Sequence, residues 1–229
     1  MKLSWRTELP QWALLVGMFG LAAASWTYLP ERLPVHWDAR GEADRYGSRA
    51  EALFLLPLIS MGLYLLMIAL PYFDPGRANY QRFAGAYNVI RLSLLGVLAL
   101  IYGAMLLAFH GYGIRMESIV PLIMGVLLVV LGNFMGKIRP NWFVGIRTPW
   151  TLSSKLSWTR THRLGGWLFI IMGLSMFASA FAGPRWLAIT AMAVIPGLCV
   201  LWLVIYSYLV WRKDPDRVPP TGTEPANDG

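Results

Sequence analysis

Ala52–Phe73 reads A-L-F-L-L-P-L-I-S-M-G-L-Y-L-L-M-I-A-L-P-Y-F, twenty-two residues without one charged side chain. At a rise of about 1.5 Å per residue, a helix of this length crosses the ~30 Å hydrocarbon core of a bilayer. Within lipid only helices and closed barrels satisfy their own backbone, and the run lacks the alternation of a barrel strand. Five further uncharged runs repeat the pattern: Gln11–Leu29, Leu92–Phe109, Ser118–Gly136, Gly165–Gly183 and Trp186–Trp211. The expectation is an all-α, polytopic membrane protein with six transmembrane helices. Only Pro184 and Arg185 separate the last two runs. Pro57, Pro71 and Pro196 lie inside runs and predict kinks or frayed ends.

The composition agrees. Of 229 residues, 56% are apolar and 14% charged, whereas soluble domains carry about 25% charged residues. A net charge of +8 is compatible with nucleic acid. However, the basic residues lie between apolar runs rather than on one soluble face, which points to a lipid bilayer as partner and to no direct nucleic-acid contact. If the ends are cytoplasmic, fourteen Lys and Arg residues fall on that side and six on the other. This asymmetry predicts both termini inside. Lys2, Arg6 and the small residues Ala22–Ser25 imitate a signal peptide, but Glu8 and the length of the run favour an uncleaved first helix. Cys199, the one cysteine, reads as a packing residue. The resulting organisation is an N-terminal half (1–110) with an extracytoplasmic loop (30–51), a C-terminal half (111–211) with a cytoplasmic loop (137–164), and an unstructured tail (212–229).

Both named loops are richer than connectors need to be. The outer one, L-P-V-H-W-D-A-R-G-E-A-D-R-Y-G-S from Leu33 to Ser48, brings His36, Asp38 and Asp44 close together. They could order a salt-bridged lid or hold a cation, although no recognised metal spacing is present and no metal or other cofactor is assigned. The inner loop continues from Lys137 to Ser154. Thr148-Pro149 ends any helix, and Ser153 or Ser154 can cap a new one with Trp158, Thr161, His162, Gly165 and Phe169 on one face. Trp142, Phe143, Trp150 and Trp158 alternate with basic residues as in a headgroup belt. Alternatively Arg139, Arg147 and Arg163 converge on an anion or a partner. Arg147 and Arg163 are expected to anchor the loop to the start of span five, His162 to pack locally, and Gly165 and Gly166 to admit a neighbouring helix.

The string from Asn141 to Leu152, N-W-F-V-G-I-R-T-P-W-T-L, resembles the signature of the SdpI-type bacterial immunity proteins. So does W-T-R-T-H-R-L-G-G from Trp158 to Gly166. The outer-loop string is similar to the small domain of unknown function that often precedes it. Lys155-Leu156-Ser157 departs from the pattern, since relatives often carry acids there. The resemblance implies an inner-membrane protein that protects its cell from a secreted antimicrobial peptide toxin and holds a cytoplasmic repressor at the membrane. Arg139, Asn141, Arg147, Trp150, Thr161, His162 and Arg163 are the candidates for binding a partner or for organising the inner loop.

Two other classes bear on the chain. A transporter would carry ionisable groups within its spans, yet the runs hold none, with Arg91 and His110 only at their borders and Gln11, Asn88 and Asn133 as nearby polar groups. A membrane enzyme would need a nucleophile and a base within reach. No such motif surrounds His36, Asp38, Asp44 or His162, and the chain is not expected to be an enzyme.

Overall fold

Ser48 closes one element and opens the next: its hydroxyl accepts the Glu51 backbone N–H at 3.1 Å, capping a long helix with an acid in its first turn. The computed structural model describes residues 4–38, 41–181 and 185–218. Helix α1 (Trp5–Ser25) leads into strands β1 (Arg32–Trp37) and β2 (Ala43–Ser48). Helix α2 (Arg49–Phe73), a 3-10 segment (Arg77–Phe83), α3 (Ala84–Phe109), α4 (Met116–Met135) and the short α5 (Pro149–Leu152) follow. The chain ends with α6 (Lys155–Phe181), α7 (Arg185–Ile189), a π-helical turn (Thr190–Val194) and α8 (Ile195–Arg212).

Among the described residues, five stretches are long and apolar enough to cross a membrane: Arg49–Phe73, Arg77–Phe109, Met116–Met135, Lys155–Phe181 and Thr190–Arg212. Their large side chains, among them Leu58, Leu65, Leu174, Leu198 and Leu201, face outward, the reverse of a soluble fold. The chain is a multi-pass membrane protein. The sixth expected span, α1, falls outside this set. It has 21 residues but starts a turn and a half ahead of the uncharged run, and so takes in Glu8 and Pro10. Ser4 sets that start, accepting the Arg6 backbone N–H.

Helices α1, α2 and α3 pack on one another, α3 joins α4, α4 packs most extensively on α6, and α6 meets α8. The α4–α6 seam is made of glycine. A Cβ on Gly132 would stand 2.6 Å from the Gly166 carbonyl oxygen, and one on Gly166 would stand 2.8 Å from the Gly132 oxygen. Gly125 and Gly173 repeat the arrangement at 2.7 and 2.5 Å. These reciprocal pairs fix an antiparallel register in which the two backbones nearly touch.

The expectation of an all-α fold needs correction, because the outer loop is a two-stranded antiparallel hairpin with an irregularity at His36. Leu33 is buried with Met18, Leu29 and Tyr102, Val35 packs against that cluster, and Trp37 stacks on Phe109 at 6.5 Å. Apolar residues at every second position thus turn one face of β1 onto the helices. Among the expected kink sites, Pro196 follows the π-helical turn, where the Ile195 N–H reaches back five residues to the Thr190 carbonyl. Since Pro196 has no N–H to give, the register slips just ahead of it.

The tail also differs from the expectation that structure ends at Trp211. Residues through Val218 fold back, and the Val218 N–H donates to the Ser153 carbonyl at 3.0 Å. Lys2, Arg40, Pro184 and residues 219–229, on which parts of the sequence reading fall, lie outside the described residues.

Candidate functional site

Asn141 organises the inner loop. Its side-chain oxygen accepts the Phe143 and Val144 backbone N–H groups at 2.9 and 2.6 Å, and its amide donates to the carbonyls of Arg139 and Val144. Asp74, at the end of α2, accepts the Trp142 N–H, the Gly76 N–H and the Tyr80 hydroxyl. Asn79 donates to the Pro140 carbonyl at 2.7 Å. The loop is thereby tied to the α2–α3 connection by backbone-directed bonds, which leave its polar groups satisfied.

The tie to α6 runs through Trp158 and His162. The indole N–H of Trp158 donates to the Ile138 carbonyl at 2.9 Å. His162 stacks on Trp158 with ring centroids 4.1 Å apart. Its Nε2 accepts the Ile146 N–H at 3.0 Å, so Nδ1 carries the proton and donates to the Trp158 carbonyl at 2.8 Å. Gly145, at φ +112°, leaves room for that ring, since a Cβ there would lie 2.3 Å from Nε2. His162 is therefore a packed bracket between loop and helix.

Thr148 and Thr151 form a capping box that starts α5, and Thr148 also shares a hydrogen bond with Ser207 of α8 at 3.0 Å. Ser157 donates to the Ser207 carbonyl at 2.8 Å, and Trp150 meets Tyr208 edge-on at 5.3 Å. Of the two candidate caps for α6, Ser154 acts, accepting the Ser157 N–H at 2.9 Å. The Ser154 hydroxyl also donates to Asp214. Together with the Asp216 and Leu156 amides and nearby Arg217, that bond holds the Asp214 carboxyl below the usual carboxylate range.

Arg139, Arg147 and Arg163 are all exposed. Arg147 donates to the Trp142 carbonyl at 2.7 Å. Arg139 and Arg163 make no ion pair among the described residues. Buried Thr161 leaves its hydroxyl without a partner among the described residues.

At the opposite end of α2, the hairpin brings His36 and Asp44 to 2.6 Å at an exposed position. Asp38 instead closes the turn, accepting the Glu42 N–H at 3.1 Å and offering its carbonyl to the Gly41 N–H. Arg45 pairs with Glu51 at 2.9 Å. Beneath the hairpin lies a cleft of about 300 Å³, lined mainly by apolar residues that include Val35, Trp37, Leu55, Met105 and Val120.

Sequence reasoning missed a third cluster. Glu8 of α1 and Arg91 of α3 are 3% and 1% exposed and form a two-pronged ion pair at 2.9 and 2.8 Å. The Tyr64 hydroxyl donates to Glu8 at 3.0 Å and accepts the Trp12 indole N–H at 2.5 Å. The guanidinium lies 5.7 Å from the Tyr64 ring centre. The available signal was a pair of opposite charges at the edges of two runs, each with a polar neighbour three residues away, Gln11 and Asn88.

Residues 137–209 match the SdpI/YfhL protein family, and residues 13–61 match a domain of unknown function, DUF1648. The chain is 28% identical to the immunity protein SdpI of Bacillus subtilis over 182 residues, covering 79% of this chain and 85% of that protein. No solved structure matches significantly.

Proposed function

We propose that this chain, in which an SdpI/YfhL segment follows a DUF1648 segment, is a toxin-immunity protein of the bacterial inner membrane. The observation that carries this reading is the similarity to the immunity protein SdpI over 79% of this chain, beside the matches of the two segments. In this reading α1 crosses as the sixth span. Its buried charge is neutralised within the helix group, which removes the main obstacle to insertion. Both termini and the inner loop face the cytoplasm, as the basic-residue asymmetry favours. The hairpin and the apolar cleft beneath it meet the secreted peptide. The Asn141 loop, with Trp142, Arg139 and Arg163 exposed at its surface, receives a cytoplasmic repressor. The inward-directed bonds of Asn141 and His162 suit them to hold the loop's shape, not to carry out chemistry, which fits a binding protein better than an enzyme.

The test is survival of a toxin-sensitive Bacillus subtilis strain lacking SdpI, challenged with the peptide against which SdpI protects. The parent chain is expected to protect, and Trp37→Ala and Asn141→Ala to lose protection at equal membrane levels. Full protection by both variants would remove the hairpin and the loop from the mechanism.

The Glu8–Arg91 pair favours a second reading, a small transporter, because ionisable groups inside spans often mark conduction paths. A transporter would lose solute flux in vesicles on Arg91→Gln, whereas an immunity protein would show no flux to lose.

A further inference from the structure

Bonding within the Glu8–Arg91 cluster is incomplete. On the three helices that build it, three buried polar atoms lack a partner among the described residues: the side-chain oxygen of Gln11 on α1, the hydroxyl of Ser60 on α2 and the Nε–H of Arg91 on α3. Gln11 and Ser60 are fully buried and Arg91 is 1% exposed. Gln11 lies one helical turn beyond Glu8, and Ser60 one turn ahead of Tyr64. Because α1 leads away from the face bearing the inner loop and α2 leads toward it, both residues lie on the far side of the carboxylate from that face. One turn further, Leu15 and Leu95 join Tyr64 in an apolar cluster and are 3% and 2% exposed. The layer thus combines an acceptor, a donor and a hydroxyl beside an ion pair of zero net charge. A cation would be repelled by the Arg91 guanidinium, and an anion by the Gln11 oxygen and the neighbouring Glu8 carboxylate. Water both donates and accepts, and so suits the mixture.

We propose that the layer of Gln11, Ser60 and Arg91 is a resident water site, hydrated from the inner-loop face and closed on the other side by Leu15 and Leu95. Half-buried Thr7 and Asn88, bonded to Glu8 and Arg91 respectively, line the approach. The site stands apart from the immunity reading, and neither depends on the other.

The experiment places a single thiol in the layer of the full-length chain, Ser60→Cys on a Cys199→Ala background, with Leu95→Cys as the dry control. D2O is the probe, and the S–H stretch of the membrane-reconstituted protein is followed by infrared spectroscopy. The Ser60→Cys S–H should exchange within the mixing time and absorb at the lowered frequency of a hydrogen-bonded thiol. The Leu95→Cys S–H should exchange more slowly, at the frequency of a free thiol. Identical slow exchange at both positions would overturn the proposal. Ser60→Ala gives a second readout by its sign. Removing a hydroxyl bonded to water lowers Tm, whereas removing a dry, unpartnered hydroxyl leaves Tm unchanged or raises it. An unchanged or raised Tm would also overturn the proposal.

Discussion

Helix α6 begins at Lys155, a basic residue where an acid would complement the helix dipole. Asp214 meets that need from sixty residues away, accepting from the Ser154 hydroxyl beside the first turn. Nothing in the sequence at Lys155-Leu156-Ser157 reveals it, because the partner comes from a segment that reads as unstructured. Its carboxyl is held below the usual range, so its contribution is present at neutral pH and lost as pH falls through the folded-state value. The parent Tm should drop on acidification below the ordinary carboxylate range, and Asp214→Asn should show a flatter profile with a lower Tm at pH 7. Ser154→Ala removes the cap as well and should cost about 0.5–2 kcal/mol. The buried ion pair makes a second residue-scale prediction. Leaving either Glu8 or Arg91 alone, in Arg91→Met or Glu8→Gln, should cost about 3–5 kcal/mol. Glu8→Gln combined with Arg91→Met should cost less than the sum, and a double-mutant cycle in detergent would measure the difference. Glu8 was hard to read because charge at a run's edge normally means interface. Only the early start of α1 carries it into the helix group.

Among elements, the α4–α6 seam is the most specific. Gly166 was legible as a close-approach residue, and it faces the backbone of Gly132 as expected. Gly165 instead accommodates the side chains of Ile146 and Leu203. Seven-residue spacing on both helices was present in the sequence, but pairing α4 with α6 depends on long-range register that one chain does not reveal. Gly166→Ala and Gly173→Ala should each destabilise by about 1–3 kcal/mol, because carbonyl oxygens occupy the Cβ positions. Gly62→Ala, where a Cβ meets open space, should change Tm little. Thermal unfolding in detergent separates these cases. The hairpin was partly legible too. Leu33, Val35 and Trp37 alternate, yet the polar residues around them read more readily as a loop. Asn141 and His162 were identified from their strings, but other ties of the loop, from Trp142 to Asp74 and from Thr148 and Ser157 to Ser207, run to residues distant in sequence.

For the whole molecule, the apolar runs made the membrane class and most helices legible, since a helix exposed to lipid is decided largely by composition. They gave less guidance on α1, whose polar first turns depend on Arg91 for neutralisation. The hairpin and the inner loop sit at opposite ends of α2, which suits an account in which one face meets a toxin and the other a cytoplasmic partner. A cysteine at Tyr46 and one at Trp142 should react with an impermeant reagent from opposite sides of the membrane, and reaction from the same side would break that arrangement. The most direct measurement is binding of the purified peptide toxin to the full chain in nanodiscs. The account predicts saturable binding that Trp37→Ala abolishes and Asn141→Ala leaves in place. Absence of binding by the folded parent, or binding that survives Trp37→Ala and depends on Asn141, would contradict it.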